Sequence, residues 1–328
     1  MKEELAVHML MPKGPAGMVH MRELLDPNVC LTTGLTIPAS PDYHILIASE
    51  PKREHIVASP NLNTLIIPVV GMSPETRKLL IEFPQVAVHN LHHNASSAAE
   101  MAVGLLLAAA KFIVPADRAL RANDWSIRYQ ANVWMTLEGK TALILGYGAI
   151  GRKVAHLCRA LGMRIIGLSR RLPGNSPDEV YPAERLHEML PRAQALILCL
   201  PLTEETRGLI DERELALLPA AAILINVARG PIVQEKALYD ALWKRSLKGA
   251  GIDVWYQYPM DEASRVNTSP SSYPFGELDN VVLTPHLAGG SILGEEEEMR
   301  SVRALAELVN SAARGEPMPN RIDIQRGY

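Results

Sequence analysis

The chain has 328 residues, 48% of them hydrophobic and 21% charged, which is typical of a soluble globular protein with room for two domains. A net charge of -3 argues against a nucleic-acid partner, and no apolar run is long enough to span a bilayer. The three cysteines, Cys30, Cys158 and Cys199, lack zinc-ligand spacing, so we expect reduced thiols, no bound metal and a cytoplasmic location.

The first 90 residues alternate short apolar runs, which are typical of buried strands, with amphipathic segments, which are typical of helices. This alternation favours a parallel sheet covered by helices. No glycine-rich phosphate motif occurs here, so this part is not predicted to bind a nucleotide. The predicted helices are 18–25 and 74–82, and the predicted strands are 5–11, 28–32, 44–48, 64–68 and 86–89.

An apolar segment at 95–112 predicts a long buried helix between this sheet and the rest of the chain. The connector that follows, at 121–137, holds Trp125 and Trp134. Aromatic side chains in such a connector indicate a contact surface, and the alternative is a local cluster that fixes a loop.

The stretch 141–171 has the pattern of a strand–helix–strand unit with a glycine-rich first turn. In such a turn the first glycine allows a tight bend, the second lets a pyrophosphate approach, and the third lets the helix pack on the strand. The order of strand, glycines, helix and strand predicts a dinucleotide site, with a chance glycine-rich turn as the alternative. The predicted site residues are Gly146, Tyr147, Gly148, Ala149, Ile150 and Gly151.

The second strand of this unit ends in Ser169, Arg170 and Arg171, where NAD-selective proteins carry an acidic residue that binds the ribose diol. One hydroxyl and two guanidinium groups suit a 2′-phosphate instead. We therefore expect NADP(H) to be favoured and NAD(H) to remain possible. The alternative is that both arginines are only solvated surface.

Further apolar runs continue this alternation to the end of the chain. Arg229 and His286 each follow one of these runs, at a point where parallel sheets place their ligands, and Asp253 lies within the run at 250–255. The predicted strands are 195–200, 223–227, 250–255 and 280–284, the predicted helices are 234–243 and 295–313, and residues 317–328 form a predicted surface strap.

Six ordered motifs resemble the D-2-hydroxyacid dehydrogenases, the NAD(P)-dependent family that includes phosphoglycerate, glyoxylate/hydroxypyruvate, phosphonate and formate dehydrogenases. The resemblance covers essentially the whole chain. The motifs are NASSAAE at 94–100, the glycine turn, LPLT at 200–203 with Thr206-Arg207, NVARG at 226–230, GIDV at 251–254, and TPH at 284–286.

The resemblance implies an α/β fold of two Rossmann-like, doubly wound parallel-sheet domains with the active site in the cleft between them. It assigns residues 1–98 plus 290–328 to a flavodoxin-like substrate domain and residues 99–289 to an NAD(P)-binding Rossmann domain. It also implies a homodimer that acts on a small 2-oxo or 2-hydroxy acid.

The resemblance assigns the chemistry to Arg229 and His286. Arg229 matches the arginine that pairs with the substrate, and a guanidinium fork suits a planar carboxylate. His286 matches the acid/base, because histidine exchanges protons near neutral pH. Substrate contacts are implied at Val70, Gly71, Met72 and, as a weaker match, Asn94.

The family pattern also implies cofactor contacts outside the glycine turn. Asp253 matches the aspartate near the nicotinamide carboxamide, and a carboxylate can accept a hydrogen bond from the NH₂ group of that carboxamide. The other implied contacts are Leu200, Pro201, Thr206 and Val227.

One position departs from the family pattern. Relatives usually have a glutamate that pairs with the catalytic histidine, and Tyr258 occupies that position here. A tyrosine gives no charge that would favour imidazolium, although its hydroxyl can orient the ring. The segment 260–277 is also longer than the family norm and is a candidate cover for the cleft.

These features favour an NAD(P)-dependent oxidoreductase that transfers a hydride between nicotinamide and C2 of a small D-2-hydroxy or 2-oxo acid, with a glyoxylate/hydroxypyruvate-type reductase preferred. Formate dehydrogenases also lack the glutamate, so a formate-like dehydrogenase without proton transfer is an alternative. A nucleotide-sensing, non-enzymatic family member is a third reading. The identity of the acid does not follow from the sequence.

Overall fold

The computed structural model describes residues 4–131, 133–290 and 294–325. They divide into two compact units, of which the first joins the chain up to Asn94 with the chain after Gly290. The second unit is residues 95–290. The predicted boundary after residue 98 falls inside a helix that begins at Ala95.

The first unit contains a sheet of five parallel strands in the order β2-β1-β3-β4-β5. Strands β3 and β4 are buried along their whole length, as expected where helices cover both faces of a sheet. The strands are β1 (Leu5–Met9), β2 (Val29–Thr33), β3 (Ile45–Ile47), β4 (Thr64–Ile67) and β5 (Ala87–Asn90). All five predicted strands are confirmed: β1, β3 and β4 are shorter than predicted, and β2 and β5 are shifted by one residue.

Four helices complete the first unit: α1 (Pro15–Leu24), α2 (Arg53–Val57), α3 (Pro74–Leu80) and the C-terminal α10 (Glu295–Arg314). The short α2 was not predicted. Apolar residues of α1 and α10 share one core with β1 and β3. The described part of the predicted C-terminal strap, 317–325, lies along β5, where the Ile322 amide donates to the Val88 carbonyl at 2.8 Å, and its residues 326–328 lie outside the described residues.

The second unit contains a sheet of seven parallel strands in the order β12-β11-β10-β9-β6-β7-β8. The strand order reverses between β6 and β9, which is the arrangement of a doubly wound fold and confirms the predicted class. The unpredicted strand is β8. The strands are β6 (Thr141–Leu145), β7 (Arg164–Ser169), β8 (Glu179–Pro182), β9 (Ala195–Leu198), β10 (Ile223–Asn226), β11 (Gly249–Ile252) and β12 (Val281–Leu283).

The predicted helix at 95–112 is confirmed as α4 (Ala95–Ala110), which ends two residues earlier than predicted. Phe112 adopts a left-handed conformation (φ 57°) and begins a second helix, α5 (Ile113–Arg121), which was not predicted. Among the described residues no single helix is long and apolar enough to cross a membrane, although α4 and α5, bent by 62°, meet that test jointly. The helices are α4 (Ala95–Ala110), α5 (Ile113–Arg121), α6 (Ala149–Ala160), α7 (Leu186–Met189), α8 (Glu212–Leu217) and α9 (Glu235–Trp243).

Candidate active site

The glycine turn joins β6 to α6 by close backbone packing. A Cβ on Gly151 would lie 2.1 Å from the Gly146 carbonyl oxygen, and a Cβ on Gly146 would lie 2.7 Å from the Cys199 carbonyl. A Cβ on Gly148 would meet nothing within 4 Å. Gly146 and Gly151 are therefore required by the packing of the protein backbone. Gly148 instead leaves open space at the N-terminus of α6, the position at which this kind of turn accepts a pyrophosphate.

Ser169, Arg170 and Arg171 lie at the carboxyl end of β7, next to β6 in the sheet. The Ser169 hydroxyl donates to the Arg171 carbonyl at 2.8 Å and fixes a local turn. Arg170 Nη1 lies 3.1 Å from Oε2 of Glu205, a side chain that the sequence analysis missed. The sequence could have indicated Glu205, because it lies between LPLT at 200–203 and Thr206. This loop follows β9, the other neighbour of β6 in the sheet.

The loop after β9 lies against the glycine turn. A Cβ on Gly146 would come within 2.8 Å of the Leu200 amide nitrogen. Thr206 fixes the loop, since its hydroxyl donates to the Pro201 carbonyl at 2.7 Å and accepts from the Thr203 amide at 2.7 Å. Leu200, Pro201 and Thr206 are thus brought beside the predicted cofactor turn.

The adjacent carboxyl ends of β10, β11 and β12 bring together Arg229, Tyr258 and His286. Arg229 follows β10 on an exposed turn, which Asn226 fixes by donating from Nδ2 to the Arg229 carbonyl at 3.1 Å. The next residue packs tightly, because a Cβ on Gly230 would lie 2.4 Å from the Trp255 carbonyl oxygen. Val227, a predicted cofactor contact, is buried in the same turn.

Asp253 is fully buried and holds the turn that carries His286. It accepts from the Thr284 hydroxyl at 2.6 Å and from the Leu287 and Ala288 amides at 2.8 Å each. A carboxylate has about four acceptor positions, so one remains for the carboxamide contact predicted for this residue.

His286 has a left-handed backbone (φ 59°), which is uncommon for residues other than glycine, and its ring lies beside that of Tyr258. Burial lowers the pKa of His286 below its ordinary value, and the Arg229 guanidinium lowers it further, while Asp253 acts in the opposite direction. The histidine is therefore mainly neutral at pH 7 when no ligand is bound.

The Tyr258 ring lies 5.5 Å from the His286 ring, centre to centre, at an angle of 54°. Its hydroxyl accepts from the Trp255 amide at 3.0 Å, so that oxygen is directed to the backbone and the contact with His286 is made through the ring. Burial raises the pKa of Tyr258, which keeps the hydroxyl neutral.

The long segment 260–277 is anchored at its second half. The Ser271 hydroxyl and the Ser272 amide donate to Glu235 Oε1 at 2.7 and 2.8 Å, and Phe275 is buried. In the first half, Asp261 accepts from the Ser264 amide at 2.8 Å and Met260 is exposed. The carboxylate of Asp261 is thus engaged in its own local turn.

The predicted substrate residues of the first unit lie at the carboxyl edge of its sheet. Val70, Gly71 and Met72 follow β4, and the Val70 carbonyl accepts from Nδ2 of Asn90, at the end of β5, at 2.6 Å. Asn94 follows β5, and its Oδ1 is buried without a hydrogen-bond partner among the described residues.

No group of three or more His, Cys, Asp or Glu side chains with metal-binding geometry occurs within 4–131, 133–290 and 294–325.

The NAD-binding domain of the D-isomer-specific 2-hydroxyacid dehydrogenases matches residues 103–288. This match covers more than half of the chain and includes the glycine turn, Arg229, Asp253 and His286. The chain belongs to this family. The resemblance inferred from the six motifs is thereby confirmed.

Two curated relatives illustrate the range within the family. A D-3-phosphoglycerate dehydrogenase from Methanocaldococcus jannaschii is 33% identical over 230 residues, which are 70% of this chain and 41% of that protein. A glyoxylate reductase from Korarchaeum cryptofilum is 35% identical over 228 residues, which are 69% of this chain and 65% of that protein. The chain thus matches less than two thirds of the length of either relative.

Solved structures share the fold over nearly the whole chain. A D-isomer-specific 2-hydroxyacid dehydrogenase from Xanthobacter autotrophicus, in complex with NADPH and MES, is 25% identical with a TM-score of 0.77, and 100% of both chains is covered. An NADPH-dependent glyoxylate/hydroxypyruvate reductase from Sinorhizobium meliloti is 21% identical with a TM-score of 0.75, covering 99% of this chain and 100% of that one. The second likeness concerns the fold alone.

Proposed function

We propose that the chain is an NAD(P)-dependent oxidoreductase of small 2-oxo or D-2-hydroxy acids, of the glyoxylate/hydroxypyruvate type. One observation carries this proposal: Arg229 and His286 follow β10 and β12, on either side of β11, close enough for the guanidinium to lower the pKa of the histidine, in the sheet that also carries the glycine turn. A sensor needs the nucleotide turn alone, whereas a carboxylate-binding arginine beside a titratable histidine is a set for chemistry on an oxo acid.

In the proposed reaction, bound nicotinamide supplies or accepts the hydride at C2. Arg229 binds the substrate carboxylate through its guanidinium and fixes the orientation of the C2 carbonyl. His286, when protonated, donates a hydrogen bond and then a proton to the carbonyl oxygen, and in the reverse direction the neutral ring accepts that proton. Asp253 holds the histidine turn, so the ring is in place before the substrate arrives.

We propose NADP(H) as the favoured cofactor, with NAD(H) possible. The carboxyl end of β7 offers two guanidinium groups and a hydroxyl to a 2′-phosphate, and no acidic residue follows β7 directly, where a ribose diol would be bound. The Xanthobacter relative was solved with NADPH, which agrees with this choice. Glu205 is the opposing feature, because its carboxylate pairs with Arg170 and would repel a phosphate.

The test is a screen of glyoxylate, hydroxypyruvate, pyruvate and longer 2-oxo acids with NADPH and with NADH, followed at 340 nm. We expect oxidation of NADPH with at least one short 2-oxo acid and a lower kcat/KM with NADH. The absence of turnover with every acid, together with tight binding of NADPH, would favour the nucleotide-sensing alternative.

Formate oxidation is the second candidate, and Tyr258 is the observation that favours it. A formate dehydrogenase needs no proton donor, and a neutral histidine beside a neutral tyrosine meets that condition. Reduction of NAD⁺ or NADP⁺ by formate, without activity on any 2-oxo acid, would replace the leading proposal by this one.

We also propose a homodimer that forms through the second unit. In the described part of the connector, Trp125 and Tyr129 are 61% and 81% exposed, and Trp134 is 53% exposed. Large apolar side chains exposed together indicate an association surface. A cavity of about 500 Å³ lies beside them, between the end of α4, the connector and the start of β12. Light scattering at micromolar concentration should give the mass of two chains, and the mass of one chain would exclude the dimer.

A further inference from the structure

The loop between β7 and β8, residues 170–178, carries both arginines of the proposed phosphate site. Most of its residues are exposed or half-exposed. The exception is the Asp178 side chain, which is only 3% exposed. The buried Asp178 carboxylate thus anchors this loop to the protein at its β8 end, while Ser169 and Glu205 contact the two arginines at its β7 end.

Asp178 is held by two residues of the glycine-turn unit. The Tyr147 hydroxyl donates to Asp178 Oδ2, and Arg159 of α6 donates to Oδ1 through Nε at 3.2 Å and through Nη2 at 2.6 Å. The Asp178 amide donates to the Ser176 hydroxyl at 3.1 Å, and that hydroxyl lies 3.3 Å from the Tyr147 oxygen. Charge-assisted hydrogen bonds of this kind are stronger and more directional than neutral ones.

The Tyr147 ring is held in place by its packing against β7. It is buried on β7, where a Cβ on Gly167 would lie 2.4 Å from the ring. The Tyr147 amide also donates to the Leu168 carbonyl at 3.1 Å. The side chain is therefore directed across β7 toward Asp178, and it links the pyrophosphate turn to the loop of the arginines.

We infer that Tyr147 is a positioning residue for cofactor selectivity: its hydroxyl, through Asp178, holds the 170–178 loop where Arg170 and Arg171 reach a 2′-phosphate. This inference rests on the proposed preference for NADP(H). Since the arginines interact with the 2′-phosphate and NADH has none, a displaced loop weakens the binding of NADPH and leaves that of NADH nearly unchanged.

The Tyr147→Phe variant tests this inference, because it removes the hydroxyl and keeps the ring on Gly167. Dissociation constants for NADPH and NADH are measured on the full chain by fluorescence titration, without substrate. We expect the Kd for NADPH to rise about tenfold, which corresponds to ~1.4 kcal/mol, and the Kd for NADH to change less than about twofold. In steady-state assays the KM for NADPH should rise while kcat stays unchanged.

Tyr181→Phe is the matched control. Tyr181 of β8 also donates from its hydroxyl to a carboxylate, that of Glu179, at 2.9 Å, but this pair is exposed and does not contact the glycine turn. Its removal should leave the ratio of the two dissociation constants unchanged. A second variant, Asp178→Asn, should shift the ratio in the same direction as Tyr147→Phe, and it decides the question if Tyr147→Phe does not fold.

If Tyr147→Phe leaves the ratio of the NADPH and NADH dissociation constants unchanged, whether both rise equally or neither changes, the inference is overturned. The cofactor preference of the wild type is not affected by that result. Equal dissociation constants for NADPH and NADH in the wild type would overturn the proposed preference itself, and the inference with it. The wild-type ratio and the variant ratio thus report on the two statements separately.

Discussion

The strand ends of β6 and β7 and those of β10, β11 and β12 lie along one edge of the same sheet, but they are built differently. At the cofactor end the backbone packs so closely that side chains are excluded at Gly146 and Gly151. At the Arg229–His286 end, polar side chains stand on turns that buried side chains hold: Asn226 holds the turn of Arg229, and the Asp253 carboxylate holds that of His286. Stability at the cofactor end should therefore be sensitive to added atoms, whereas activity at the Arg229–His286 end should be sensitive to the removal of side-chain atoms.

The largest effect is expected from removing the imidazole ring of His286, at the Arg229–His286 end. His286→Ala should lower kcat/KM for 2-oxo acid reduction by about 10²–10⁴-fold, the usual contribution of a general acid. The dissociation constant for NADPH should change little. His20→Ala, in α1 of the first unit, is the control and should have wild-type kinetics. Unchanged activity in His286→Ala would remove the proton-transfer role and favour the formate-like reaction.

The next largest effect is expected from adding one methyl group to a glycine of the cofactor end. Gly151→Ala should lower the free energy of unfolding by about 1–3 kcal/mol, because its Cβ would overlap the Gly146 carbonyl and force the backbone to move. Gly148→Ala meets no protein atom and should change that free energy by no more than about 0.5 kcal/mol, yet weaken cofactor binding. Urea unfolding and NADPH titration measure both. Equal destabilisation by the two substitutions would contradict this difference.

A smaller effect is expected where the cofactor end does use side chains. Arg170→Ala should reduce the preference for NADPH over NADH by about tenfold, or ~1.4 kcal/mol. Glu205→Gln should raise it by a few fold, because the carboxylate that pairs with Arg170 is neutralised. The neighbouring Glu204→Gln serves as the control. A loss of NADPH affinity in Glu205→Gln would show that the carboxylate orients the arginine instead of competing with the phosphate.

The smallest effect is a displacement of the pH profile. Burial and Arg229 hold the pKa of His286 below the ordinary value of about 6.5, so the protonated donor is lost as pH rises through the region below that value. Reduction should therefore decline there, while oxidation of the hydroxy acid increases. Tyr258→Glu adds a carboxylate beside the ring, which favours imidazolium and should move the decline upward by about one pH unit.

Tyr258→Phe is the matched control and should leave the position of the decline unchanged. A wild-type reductive rate that stays constant up to pH 9 would show that His286 already has a carboxylate partner in the complex with substrate.

The difference between the two ends also explains what the sequence could predict. The glycine turn was predicted with its strand and helix because each glycine is required by local backbone geometry. Asp253 was assigned to the cofactor, whereas its oxygens also hold a turn 31 to 35 positions away. The Tyr147–Asp178 link is similarly distant, at 31 positions, and a pairing of side chains across strands follows only from the strand order.

Helix ends show the same limit. Phe112 adopts a left-handed conformation that its residue type does not predict, so neither the end of α4 at Ala110 nor the separate helix α5 followed from the sequence. The starts of β9 and β10 were predicted to the residue and their ends within two residues, because a strand buried on both faces is a continuous apolar run.

The left-handed backbone at His286 has a consequence for engineering. A residue other than glycine or asparagine in that region carries a strain of about 1–3 kcal/mol, which the hydrogen bonds that Asp253 accepts from the turn must offset. Screens that select only for thermal tolerance should therefore enrich glycine or asparagine at position 286, because either relaxes the strain. Such variants would melt at a higher temperature and turn over more slowly, so a thermostabilised form of this protein should be evolved with position 286 kept fixed.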